Sequence, residues 1–158
     1  MHKNWKSIIH RVLLEIIVAL LVVLWLYTAI NKYFDFQNFK TQLGRSPFIE
    51  SISGFVALTL PSGELMLAIL LVFKRTRAIG LYLSFALMLL FTGYVYIMLY
   101  YAYALPCSCG GVLSQLSWRD HLIFNILFSA LALIGILLIE IRNNIAKQSL
   151  SYSLNNMK

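Results

Sequence analysis

Residues 12–33 read VLLEIIVALLVVLWLYTAINKY. Before Lys32, a single charge, Glu15, interrupts this run. A helix rises about 1.5 Å per residue and the hydrocarbon core of a bilayer is about 30 Å thick, so about 20 consecutive apolar residues cross it. The stretch has that length. Its core is too long for a cleavable signal peptide, and no small-residue cleavage site follows it. It therefore reads as a membrane-spanning helix, and the rest of the chain is read from it outward.

Three further stretches have the same character: residues 52–73, 78–104 and 122–141. The third span is long enough to cross with some tilt. The expected fold is an all-α membrane protein, a bundle of four transmembrane helices over residues 1–145, followed by a flexible cytoplasmic tail at 146–158. Composition agrees. Of 158 residues, 60% are hydrophobic and 12% charged, and the mean hydropathy is +0.78. A soluble domain of this size leaves too much surface exposed to hide so many apolar side chains.

The ends of the spans carry their own chemistry. Ser46-Pro47 reads as an N-cap with proline in the first turn, which starts the second span near Phe48. Ser117-Trp118-Arg119-Asp120 has the spacing of a capping box and starts the fourth. Lys74-Arg75-Thr76-Arg77 is a tight hairpin between the second and third. In the first loop, Phe36, Phe39 and Leu43 recur at spacings of three and four. That pattern predicts a short amphipathic helix on the surface or capping the bundle.

The net charge of +7 does not form a patch of the kind that binds nucleic acid. The cations fall in short clusters between apolar runs, which is a topology signal. With the N-terminus cytoplasmic, that side holds Lys3, Lys6, Arg11, Lys74, Arg75, Arg77, Arg142, Lys147 and Lys158. The other side holds Lys32, Lys40, Arg45 and Arg119. The nine-to-four split places both termini in the cytoplasm and predicts a multi-pass protein of a bacterial inner membrane. Tyrosines crowd the outer ends of the first and third spans, as an interfacial aromatic belt would.

On this topology the loop Pro106-Cys107-Ser108-Cys109-Gly110-Gly111 faces the periplasm or exterior, where disulfides persist. A disulfide needs Cα atoms about 4.4–6.8 Å apart. Residues i and i+2 meet that limit only if the chain bends, and the two glycines permit the bend. So small a ring would be strained, and strained disulfides exchange readily. Three readings follow: redox exchange, a structural or incidental pair, and soft-metal binding. A C-x-C pair is only half a metal site, so no metal is expected. Arg119 and His121 lie close in sequence as supporting groups, one a cation and the other a proton acceptor.

Glu64 falls near the middle of the second span, after Pro61-Ser62-Gly63. An ionisable group at that depth points to a proton relay or ligand contact; the alternative is a protonated side chain hydrogen-bonded within the bundle. Glu15 and Glu140 read as interfacial, with Arg11 correctly spaced to pair with Glu15. His121, Asn125 and Ser129 form one polar stripe on the fourth span. Ser84, Met88, Thr92, Tyr96 and Tyr100 form another on the third. Facing each other, the two would act as interhelical glue, or would line a site for a small apolar ligand, with quinone as the cofactor class.

These residues resemble the MauE branch of the DoxX-like membrane proteins. The resemblance is carried by Tyr27-Thr28-Ala29-Ile30-Asn31-Lys32, Phe36-Gln37-Asn38-Phe39, Ser46-Pro47, Pro61 with Glu64-Leu65, and the cysteine segment before Ser117-Trp118. It covers residues 11–141, and the cysteine segment is its most specific part. It implies four helices and thiol–disulfide chemistry or protein maturation with a thioredoxin-like periplasmic partner. In that family the step matures a disulfide-rich dehydrogenase subunit; the resemblance does not extend to the client of this chain. A redox role transfers only to Cys107 and Cys109. The function expected is thus a membrane thiol-exchange component; the alternatives are a non-enzymatic assembly subunit and a quinone-binding bundle.

Overall fold

Apolar side chains at spacings of three and four select one face of each long helix for the interior and leave the rest for lipid. In the computed structural model, which describes residues 2–45, 49–101 and 117–155, five α-helices result. They are α1 (His2–Phe34), α2 (Phe36–Gly44), α3 (Ser53–Val72), α4 (Arg77–Tyr101) and α5 (Trp118–Asn155), with a 3-10 turn at Glu50–Ile52 before α3. Four of them contain segments long and apolar enough to cross a membrane: Ile8–Phe34, Glu50–Val72, Arg77–Tyr101 and Arg119–Asn144. The expected fold class is the observed one.

The four long helices pack in a ring, α1 against α3, α3 against α4, α4 against α5, and α5 back against α1. On α1 the buried stripe is Leu14, Ile17, Val18, Leu21, Trp25, Ala29 and Lys32. It meets Leu67 and Leu71 of α3, Leu81 and Met88 of α4, and Ala132, Ile136 and Ile139 of α5 in one core. Val23, Phe55, Leu90 and Leu127 are more than half exposed on the outside. That is costly in water and costs nothing against acyl chains. The short helix expected in the first loop is α2. It buries Phe39 and Leu43 against Ala57 of α3, flanked by Phe36 and Leu60, so it forms part of the bundle.

Local chemistry sets the boundaries. The Ser117 hydroxyl accepts a hydrogen bond from the Asp120 backbone N–H at 3.2 Å and donates to the Asp120 carboxylate at 2.6 Å. This is the expected cap, and it starts α5 at Trp118, ahead of the apolar run at 122. At its other end α5 passes residue 141 and continues to Asn155, because no proline or glycine interrupts 142–155. For the same reason α1 begins at His2, well before its apolar run. In the hairpin, the Thr76 hydroxyl donates to the Leu70 carbonyl at 2.9 Å and Arg77 Nε to the Leu71 carbonyl at 3.2 Å. Carbonyls at the end of α3 thereby gain partners. The Ser46-Pro47 cap and the 102–104 end of the third span lie outside the described residues.

Two expected contacts are corrected. Glu15 pairs with Arg77 of α4 at 2.7 Å, not with Arg11. Its partner comes from the helix diagonally across the ring, while Arg11 remains exposed. The polar stripe of α4 does not face α5 along its length. Ser84 and Met88 are buried, but Tyr96 and Tyr100 are exposed. A spacing of four overshoots the helical turn by about 40° per step, so four steps carry the stripe to the far side.

Candidate functional site

Trp25, Thr28 and Lys32 follow one another on the inward face of α1 at spacings of three and four, the last two turns of the helix. Opposite them on α3 stands Glu64, fully buried one turn after Pro61. Proline has no N–H to give to the carbonyl four residues back, so α3 is loosened at this level. Lys32 Nζ donates to Glu64 Oε1 at 2.6 Å. Both side chains are almost completely shielded. The ammonium also lies 5.7 Å from the centre of the Phe39 ring, so α2 covers the pair with an aromatic face. Beside it, the Tyr33 hydroxyl and Ser62 Oγ share a hydrogen bond of 2.8 Å, which ties α1 to α3 at the same height.

The pair forms one wall of a small, partly open cleft of about 60 Å³. Leu24, Trp25, Thr28 and Lys32 of α1 and Glu64 of α3 line one side. Met88, Phe91, Tyr94 and Val95 of α4 and His121, Phe124 and Asn125 of α5 line the other. The Trp25 ring is fixed by its indole N–H, which donates to Ser84 Oγ at 2.9 Å. It stands 6.3 Å from the Phe91 ring at 51°. Asn125 is anchored through its backbone carbonyl, which accepts from Ser129 Oγ at 2.8 Å.

Two polar atoms in this cleft are buried and, among the described residues, have no hydrogen-bond partner. They are Glu64 Oε2 and Asn125 Nδ2. Leaving such groups unpaired costs about 1–3 kcal/mol each, and more where a charge is involved.

Of the residues singled out from sequence, the fold brings Glu64 and His121 to one cleft. Arg119 is exposed in the first turn of α5. Cys107 and Cys109 lie outside the described residues. By connectivity they belong to the segment that leaves α4 at Tyr101, six residues beyond Val95, and rejoins the helix cap at Ser117, four before His121. Both flanks of the cysteine segment are therefore attached to the cleft's own end of the bundle. Lys32 is the cleft residue the sequence reading missed, because it was counted among the loop cations. The available signal was physical: a carboxylate buried at the depth of Glu64 requires a counter-charge, and Lys32 continues the inward stripe of α1.

The family model described as methylamine utilisation protein MauE matches residues 10–138. No curated protein and no solved structure matches the chain.

Proposed function

The chain belongs to the MauE family of methylamine utilisation proteins, and on that premise we propose that it is the membrane component of a thiol–disulfide exchange step in protein maturation. Cys107 and Cys109 are the exchanging pair, and a thioredoxin-like protein on the non-cytoplasmic side is the partner. The observation that carries the reading is the placement of the cysteine pair in the connection between α4 and α5, tethered to a bundle whose four apolar helices fit a bilayer. The setting is the bacterial inner membrane, with residues 1–145 as the transmembrane domain, both termini cytoplasmic and residues 146–158 as a cytoplasmic tail.

The chemistry balances within the two proteins. One cysteine thiolate attacks a sulfur of the partner's disulfide, that S–S bond breaks, and a mixed disulfide forms as the other partner sulfur leaves as thiolate. The second cysteine then attacks the mixed bond at its neighbour's sulfur. The partner departs as a dithiol and Cys107–Cys109 remains as a disulfide, two electrons having passed to the partner. The same steps in reverse oxidise the partner.

The test is trapping in cells. Cys107→Ser and Cys109→Ser are each expected to abolish maturation of the client. The single-cysteine variant that keeps the attacking thiol should also accumulate a reductant-sensitive adduct with a thioredoxin-like protein. Full maturation activity in the double serine variant would overturn the proposal.

A further inference from the structure

An open groove of about 140 Å³ lies between α1 and α3 near the hairpin end of the bundle. It is lined by Val22 and Leu26 of α1 and by Ala68, Ile69, Val72 and Phe73 of α3, all apolar. Ala68 is buried, whereas Ile69, Val72 and Phe73 are half exposed or more, so the groove opens on the outer surface that meets lipid. Water has no hydrogen-bond partner there, and an acyl chain fills such a space without cost. Charge at its mouth sets this groove apart. Phe73 lines it, and the next two residues, Lys74 and Arg75, are both exposed. On α1, exposed Arg11 and then Glu15 continue the face of Val22 and Leu26 toward the same end, at spacings of four, seven and four. Of the chain's six acids, only Glu15 and Glu140 belong to this end. Glu15 is held by Arg77 at 2.7 Å. Arg11, Lys74 and Arg75 have no ion-pair partner among the described residues.

We propose that the α1–α3 groove is a binding site for an anionic phospholipid. One acyl chain lies in the groove, and the headgroup phosphate sits on Lys74 and Arg75. A zwitterionic headgroup brings a cation of its own to a mouth that is already positive. An anionic one supplies the missing charge, so the site selects by net headgroup charge. It stands apart from the cysteines and survives or fails separately from the exchange reaction.

The experiment uses the full chain in phosphatidylcholine vesicles, with Trp5 and Trp118 replaced by phenylalanine. Trp25 remains as a constant signal in the core. Phe73→Trp places a reporter on the groove, and Ile79→Trp, exposed in the first turn of α4, is the control at the same end. The probes are phosphatidylglycerol and phosphatidylcholine with chains brominated near the headgroup, compared at equal mole fraction. Bromine quenches the indole it touches. At the Phe73→Trp reporter, phosphatidylglycerol is expected to be enriched about tenfold over phosphatidylcholine, the effect of two cations at the surface. Lys74→Gln with Arg75→Gln should bring that ratio close to one, and the Ile79→Trp reporter should show little preference. Equal quenching by the two lipids at Phe73→Trp overturns the site. A preference that survives the double glutamine variant overturns the assignment to Lys74 and Arg75. An equal preference at Ile79→Trp overturns the groove, leaving only a diffuse attraction of anionic lipid to this end. Relief of quenching by glycerol phosphate, which carries the charge without a chain, also overturns the groove in favour of a bare phosphate site. Should Phe73→Trp fail to fold, Val72→Trp on the same rim takes its place.

Discussion

Lys32 and Glu64 show how one pair of side chains can constrain a membrane bundle. Their contact at 2.6 Å is almost completely buried. Removing one member of such a pair leaves an uncompensated charge and costs about 3–5 kcal/mol, while replacing both by apolar groups is often neutral or stabilising. Lys32→Met is thus expected to lower stability by that amount, read from unfolding in mixed micelles. Lys32→Met combined with Glu64→Leu should recover most of the loss. A single variant as stable as the parent would show that Glu64 is not held as an anion. From the sequence, Glu64 stood out because a lone acid in an apolar run has no inexpensive explanation. Its partner did not, because a lysine at a helix end is unremarkable at the headgroup level. The pairing depends on the relative height of α1 and α3, which the Tyr33–Ser62 contact and the packing of α2 help to set.

Among the elements, α4 lies against the backbone of α3 at Gly80. A Cβ built there would stand 3.1 Å from the Leu71 backbone nitrogen and 3.2 Å from the Leu70 carbonyl carbon. Backbone cannot move aside as a side-chain tip can, so Gly80→Ala is expected to destabilise by about 1–3 kcal/mol through overpacking. Gly63→Ala is the control. Nothing lies within 4 Å of its Cβ, and it should be neutral or slightly stabilising. Equal midpoints for the two variants in the same unfolding assay would refute the close approach. Element by element, the long helices, the amphipathic helix α2 and the cap at Ser117 were legible because each rests on local periodicity or local hydrogen bonding. The face that α4 presents was not. A stripe drawn at every fourth residue drifts around the helix, and only the neighbours reveal which part of it is buried.

At the scale of the molecule, the asymmetry of lysines and arginines between the two ends is the strongest statement of orientation. In a background with Cys107 and Cys109 replaced by serine, a cysteine introduced as Asn38→Cys is expected to react with an impermeant maleimide added to intact spheroplasts. Arg75→Cys should react only after permeabilisation. Both positions are exposed, at opposite ends of the bundle, and the reverse pattern would invert the protein and remove the cysteines from the oxidising side. The amino-acid sequence by itself determined that this chain is a four-span helical membrane protein with a C-x-C pair in one connection. Hydrophobic length, capping residues and charge clusters are local properties, and the bilayer acts on them segment by segment. The tertiary structure alone decided that Lys32, Glu64, His121 and Asn125 share one cleft, since these residues come from three helices separated by long stretches of chain. Their meeting depends on helix order around the ring, relative height and rotation, which are fixed by side-chain packing between helices and leave no periodic trace in the sequence.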